Sequence, residues 1–344
     1  MSTTVWSSRS PGLPVGILDE HPAWSNRLIT ELTGRGVPVE KIDVSAHAFR
    51  PDDRGPRYSV VVNRTSPSSH TRGHGAALFY AHAFLAYAEG LGIPVINPAA
   101  AYRVESSKAY QAVLFERLGL RYPRTTVVND PGQVPKLTDG FRFPVVVKPN
   151  IGGSGAGIVR FESREALEEA ARAGTLAFGP DGVALVQEFL EPADGGIVRV
   201  EVLGGAYLYA IKIYRDLAQG FNLCPADICR TDMPATPSSL SACPTEAPRL
   251  DLRVERHEPG QVIVDAVLAL TREARIDVGG VEYLVPRGDG QVHFYDINAT
   301  SNFVADAPAL LGFDPTARFA DYILAVAAGA PAVSARPYPP AFAA

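Results

Sequence analysis

Apolar residues along this chain fall into short runs, separated by stretches in which they recur at helical spacing. Val15-Gly-Ile-Leu18 is one such run, and Trp24 to Leu32 follows with the spacing of a helix. Val37 to Val44 alternates as a strand does, and Val60-Val-Val62 reads as a buried strand. A long helical stretch from Ala76 to Gly90 ends at a glycine stop before Ile93-Pro-Val-Ile96. This order predicts a small α/β unit built on a largely parallel sheet.

A helix opened by Glu105-Ser-Ser-Lys108 comes next, with Gln111, Leu114, Phe115 and Leu118 on its inner face and a stop at Gly119. Thr125-Thr-Val-Val128 is a strand. From Phe143 to Val202 the pattern runs strand, glycine loop, strand, helix (Arg164 to Ala173), strand, a separate α+β unit the size of a lid. Residues 203–212 read as a further strand ending at Lys212. A Pro- and Ser-rich segment, Asp216 to Pro259, then interrupts the regular pattern; loops of that length are uncommon unless functional or disordered. A helix (Val262 to Ala274), strands at Val281–Leu284 and His293–Asn298, and a helix near Thr316 to Ala328 complete the chain. The expected organisation is an α/β N-terminal domain over 12–102, a linker helix and central lid over 103–187, a C-terminal domain over 188–328 and a frayed tail over 329–344.

Composition narrows the function classes. With 344 residues, two or three packed units are expected. A net charge of −5 with interspersed signs gives no basic stripe for a nucleic-acid backbone. No apolar window approaches membrane-spanning length, the first residues lack the core of a secretion signal, and three cysteines make no disulfide framework. A cytoplasmic protein with small-molecule partners is the expectation; self-association into a homo-oligomer is left open.

Three constellations carry chemistry. In Pro144-Val-Val-Val-Lys148-Pro-Asn-Ile-Gly-Gly-Ser-Gly-Ala-Gly-Ile158, a strand ends in a lysine and a glycine-dense loop leads to a second strand. Gly152, Gly153, Ser154 and Gly155 can present consecutive backbone N–H groups to an anion beside a full positive charge, which suits polyphosphate. Neither a Walker loop nor a dinucleotide fingerprint fits, because the element after the loop reads as a strand; a plain hairpin turn is the alternative. Gln187, Glu188, Phe189, Leu190 and Glu191 offer backbone groups, an apolar wall for a planar base and a carboxylate for ribose, although a core strand is the commoner meaning of such a run. Asp296 and Asn298, two apart on a strand, project to one face, and Glu282 on a nearby strand can join them. Two carboxylates and an amide oxygen are hard ligands suited to magnesium. Lys108, Arg199 and Lys212 attract interest by position alone.

Taken in order, Lys108, VVVKPNIGGSGAGI, VQEFLEP, Ile197-Val-Arg199, VGGVEYL and YDINATSN resemble the ATP-grasp superfamily, and most closely its RimK-like carboxylate–amine ligases, over residues 60–325. The resemblance implies an ATP-grasp fold with a parallel-sheet N-terminal domain, a lid and a C-terminal antiparallel sheet. It implies that Lys108 and Lys148 bind the ATP phosphates from two domains, that the glycine loop closes as a flap, and that residues 187–191 line the adenine cleft. Glu282, Asp296 and Asn298 would hold Mg²⁺, two ions being expected and Mn²⁺ an alternative, while Arg199 would stabilise the transferring phosphoryl group with Lys212 beside it. Relatives carry an acid two residues before the arginine; here Ile197 stands there, leaving Glu191 or Asp194 to meet the ribose. Arg64 and Arg72 in the N-terminal domain and Asn222 are candidate substrate contacts.

The implied reaction activates a carboxylate as an acyl phosphate and passes it to an amine, with amino-acid or peptide substrates. A small-molecule kinase and a non-catalytic ATP-binding module are the alternatives; three magnesium candidates in one chain argue against the latter. The 216–259 segment, with Cys224, Cys229 and Cys243, is expected to close over substrate rather than bind zinc, since a fourth close ligand is missing and His257 is distant.

Overall fold

The computed structural model describes residues 12–214, 221, 225–226 and 252–332. The N-terminal unit contains β1 (Val15–Asp19), α1 (Asn26–Gly34), β2 (Val39–Asp43), β3 (Val60–Asn63), α2 (Gly75–Gly90) and β4 (Val95–Ile96). Its sheet runs β2-β1-β3-β4, parallel throughout. Both faces are covered, which explains the unbroken apolar runs of β1 and β3. Phe84 and Leu85 of α2 pack on one face. The other face shares a core with α1 and with Tyr209, Ile211 and Ile213 of the C-terminal sheet.

Two short helices, α3 (Ala99–Glu105) and α4 (Lys108–Arg117), follow. The helix carrying Lys108 opens one turn later than Glu105, because Ser107 caps it by accepting from the Tyr110 N–H at 3.2 Å. Leu114 and Phe115 pack on the C-terminal sheet, while the first turn of α4 is tied to the lid, the Ala109 N–H donating to Asn150 Oδ1 at 2.8 Å.

The lid comprises β5 (Thr125–Val128), α5 (Val134–Leu137), β6 (Val145–Pro149), β7 (Val159–Phe161), α6 (Arg164–Ala173) and β8 (Ala184–Glu188). Its antiparallel sheet has the order β5-β8-β6-β7. Val145, Val147 and Val186 face Leu167 of α6 and form the lid core. By strand alternation, Lys148 and its register partner Leu185 lie on the opposite face, as do Gln187 and Val146.

The C-terminal unit is an antiparallel sheet of order β11-β10-β9-β12-β13, formed by β9 (Gly196–Leu203), β10 (Ala206–Tyr214), β11 (Arg253–His257), β12 (Val278–Leu284) and β13 (His293–Asn298). Helix α7 (Gln261–Glu273) covers one face, and α8 (Ala307–Leu311) and α9 (Pro315–Ala327) follow β13. Two expectations change here. The strand expected over 203–212 is the end of β9 plus most of β10, joined at Gly204-Gly205, whose φ values of 60° and 78° suit a tight turn. Strand β11 lies inside the stretch expected to be irregular. The cysteines and Asn222 lie outside the described residues. Among the described residues no helix is long and apolar enough to cross a membrane.

Candidate active site

The lid, the C-terminal sheet and the N-terminal unit converge on one cleft. Lys108, Lys148, the loop 152–156, Arg199, Glu282, Asp296 and Asn298 line it. They come from α4, β6, β9, β12 and β13, and the lining residues Trp24, Ser66 and Ser68 come from the N-terminal unit.

Register explains the acidic wall. Glu282 pairs with Asp296 and Gly280 with Asn298 across β12 and β13, so all three polar side chains share a face. A bulge beside Glu282 leaves Tyr295 as an extra residue on β13, and it too lines the cleft. The Asn298 amide lies 3.2 Å from Asp296 Oδ2 and 3.4 Å from Glu282 Oε1. Lys108 Nζ donates to Asp296 Oδ1 at 2.5 Å. Burial and the nearby Asp296 charge raise the Glu282 carboxyl above its ordinary range. Burial pushes Asp296 the same way, but the Lys108 ammonium outweighs it and holds Asp296 below the usual carboxylate range. Two acids side by side, Glu282 buried and Asp296 half-buried, and an amide oxygen form an all-oxygen donor set, the type that Mg²⁺ takes.

Lys148, at the end of β6, is only 6% exposed. Burial first, and the Lys108 charge second, lower it to about 8 against the pull of Asp296 and Glu282. No hydrogen-bond acceptor reaches its ammonium among the described residues, which leaves it available to an anion. The flap beside it turns through left-handed backbone at Ser154, Gly155 and Gly157, with φ of 53°, 72° and 74°. A Cβ on Gly155 would stand 2.5 Å from the Phe221 carbonyl, so the flap and residue 221 touch only because glycine is there.

Arg199 is buried on the cleft face of β9. Its Nε donates to Glu201 at 2.6 Å, Nη1 to Glu282 at 3.2 Å and Nη2 to Ser301 Oγ at 3.3 Å. Burial opposes its charge, but the two acids more than compensate and raise its pKa.

Several expected contacts are placed elsewhere. Lys212 pairs in register with Val198 on the sheet face opposite Arg199, where it bonds Asp194 and lies 5.5 Å from the Tyr214 ring; it does not line the cleft. The Glu188 carboxylate turns to the helix-covered side of the lid and accepts from Arg142 at 3.0 Å. Glu191 is exposed, 3.8 Å from Arg287. Gln187 bonds Thr125 at 2.7 Å, Leu190 packs against the shared core, and Phe189 stacks under Arg160 at 4.4 Å and meets the cleft-lining Phe221 edge-on at 6.3 Å. Arg64 is a buried brace, donating to the Ser301 carbonyl at 2.6 Å and to Asn302. Arg72 is closed off by Glu20, bonds Ser68 at 3.1 Å and lies 4.7 Å over Trp24. Two buried acids were missed. Glu105 braces the Ala299 N–H and Thr300, the latter at 2.8 Å, and Glu201 pairs with Arg199. The Arg-Val-Glu spacing was a usable signal for Glu201, since positions two apart share a strand face.

The chain is similar to several known ligases. A probable alpha-L-glutamate ligase of Aliivibrio fischeri (strain MJ11) is 29% identical over 216 residues, covering 58% of this chain and 67% of that one. Probable alpha-L-glutamate ligase 1 of Shewanella denitrificans is 31% identical over 165 residues, covering 44% of this chain and 55% of the relative. Against such relatives the match thus spans only about half to two thirds of their length. The solved structure of the ATP-grasp ligase PsnB, complexed with a phosphomimetic variant of its minimal precursor, Mg and ADP, superposes with a TM-score of 0.62 at 17% identity, covering 92% of this chain and 99% of that one. The fold is therefore that of the ATP-grasp ligases. Residues 105–217 match the model of the RimK-like ATP-grasp domain.

Proposed function

We propose that this protein is an ATP-dependent carboxylate–amine ligase acting on amino-acid or peptide substrates. The observation that carries this reading is the meeting of Lys148 on the lid with the Lys108–Asp296 pair and Glu282 on the C-terminal sheet, beneath a glycine flap. That combination supplies cations for a polyphosphate and oxygen ligands for a divalent cation in one buried place. The alpha-L-glutamate ligase relatives and the Mg and ADP in the PsnB complex support the same reading.

Bound Mg²⁺, held by Glu282, Asp296 and Asn298, would screen the charge of the phosphates. Lys148 and Lys108 orient the triphosphate, and Arg199 directs its remaining N–H groups to the phosphoryl group in transfer. A substrate carboxylate oxygen attacks the γ-phosphorus while the bond to the β-phosphate oxygen breaks, giving acyl phosphate and ADP. A neutral amine then attacks the acyl carbon, inorganic phosphate leaves, and the proton passes to solvent. The flap, seated against Ser68 and Phe221, excludes water that would otherwise hydrolyse the acyl phosphate.

The testing experiment is phosphate release from ATP and Mg²⁺ across a panel of amino acids and dipeptides, glutamate included, with products weighed by mass spectrometry. Amide products with ADP support the reading. Phosphorylated alcohols would make the protein a kinase, and tight ATP binding without turnover would make it a binding module.

A further inference from the structure

Arg199 and Glu282 present a physical conflict. A buried guanidinium beside a buried carboxylate should close into a bidentate pair and consume the acid. Here the closer bond goes elsewhere: Arg199 Nε meets Glu201 at 2.6 Å, whereas Nη1 stands 3.2 Å from Glu282. Glu201 is 1% exposed, and its Oε1 also accepts from Ser301 Oγ at 2.8 Å. Its other oxygen is buried with no hydrogen-bond partner among the described residues, so the hydrogen bonds that orient it come from Arg199 and Ser301. The seat continues beneath the guanidinium. A Cβ on Gly280 would stand 2.5 Å from Arg199 Nε, 2.9 Å from its Cζ and 2.8 Å from Glu201 Oε1. Only glycine at 280 allows this ion pair to lie flat on β12.

We propose that Glu201 and Gly280 are positioning residues that hold Arg199 back from Glu282 and so keep Glu282 open to the divalent cation. The proposal rests on the nucleotide–metal reading of this cleft, not on which acid and amine are joined. Removing the Glu201 charge leaves Glu282 as the one remaining carboxylate bonded to Arg199, so the guanidinium closes on it and competes with the metal. Changes to groups that orient metal ligands typically cost ten- to a hundredfold in affinity.

The test is Mn²⁺ binding in the presence of ADP, followed by electron paramagnetic resonance on the full chain, a readout that needs neither substrate nor turnover. Glu201→Gln is expected to weaken Mn²⁺ by about tenfold or more. Combining it with Arg199→Met should restore most of the affinity, because nothing then draws Glu282 away; a merely structural role for Glu201 would not be rescued by a second deletion. Gly280→Ala, which pushes the guanidinium off its seat, should weaken Mn²⁺ in the same direction and serves should Glu201→Gln not fold. Wild-type Mn²⁺ affinity in Glu201→Gln, or a loss that Arg199→Met leaves uncorrected, overturns the proposal. Failure of the wild-type protein to bind Mn²⁺ with ADP would remove the metal reading itself. A ligase assay that yields no amide would leave this measurement unaffected.

Discussion

Replacing Lys148 by Met should make the ligand-free protein more stable while impairing its response to nucleotide. The fold lowers this lysine from 10.5 to about 8, burial being the larger cause and the Lys108 charge the next. That fall is already net of the attraction to Asp296 and Glu282, so carrying the charge costs about 3 kcal/mol at neutral pH. The cost is complete below pH 8, where the lysine is protonated in both folded and unfolded chains. As pH rises from 8 towards 10.5, the folded lysine is neutral while the unfolded one still binds its proton, and the cost fades. Met keeps the length of the stem and its packing without the charge. Thermal unfolding at pH 7 should therefore rise by about 5 °C in the variant, and the gain should fall to about half at pH 9.5. ADP with Mg²⁺ should stabilise wild type and have much less effect on Lys148→Met, because the charge left unpaired in the free protein is the one the phosphates would meet. A variant that melts below wild type at pH 7, or that keeps the full nucleotide response, would refute the reasoning.

Other outcomes follow from the same geometry. Asp296→Ala should lower ATP turnover by about a hundredfold or more with circular dichroism unchanged, since it removes the acid that meets both Lys108 and Glu282; wild-type rates would remove the metal assignment. Gly155→Val places a branched Cβ against the Phe221 carbonyl at a φ of 72° and should weaken ATP by about tenfold in calorimetric titration, a strain of the usual 1–3 kcal/mol. Lys212→Ala should leave phosphate release within about twofold, because its surface pair with Asp194 is worth less than about 1 kcal/mol and lies on the other face of the sheet; a tenfold loss would show that the face assignment is wrong.

The acidic wall was legible because its logic is local. Asp296 and Asn298 share a strand whose pattern is unambiguous, and His293–Asn298 and Arg164–Ala173 form with the expected ends. Lys148 was legible for the same reason, sitting between a valine run and a glycine loop. Lys212 was misplaced because the alternation that fixes its face must be carried from Arg199 through the Gly204-Gly205 turn and a bulge between Tyr207 and Tyr209, neither of which a linear pattern counts. The side-chain face of Glu188 was not legible for a simpler reason: a strand's face cannot be assigned until its neighbour is known, and its register partner Val145 belongs to the lid core. The N-terminal wall was out of reach. Trp24 and Ser68 line a cleft built mostly from residues beyond 104, and the bracing of residues 301 and 302 by Arg64 spans 237 positions or more.

The proposed reaction requires that a carboxylate, not a hydroxyl, take the γ-phosphoryl group. The direct measurement is a ligation run with a substrate acid labelled in its carboxylate with oxygen-18, followed by mass analysis of the inorganic phosphate. An acyl phosphate predicts that each phosphate released carries one labelled oxygen from the acid. Unlabelled phosphate, or phosphate retained on an alcohol product, would contradict it.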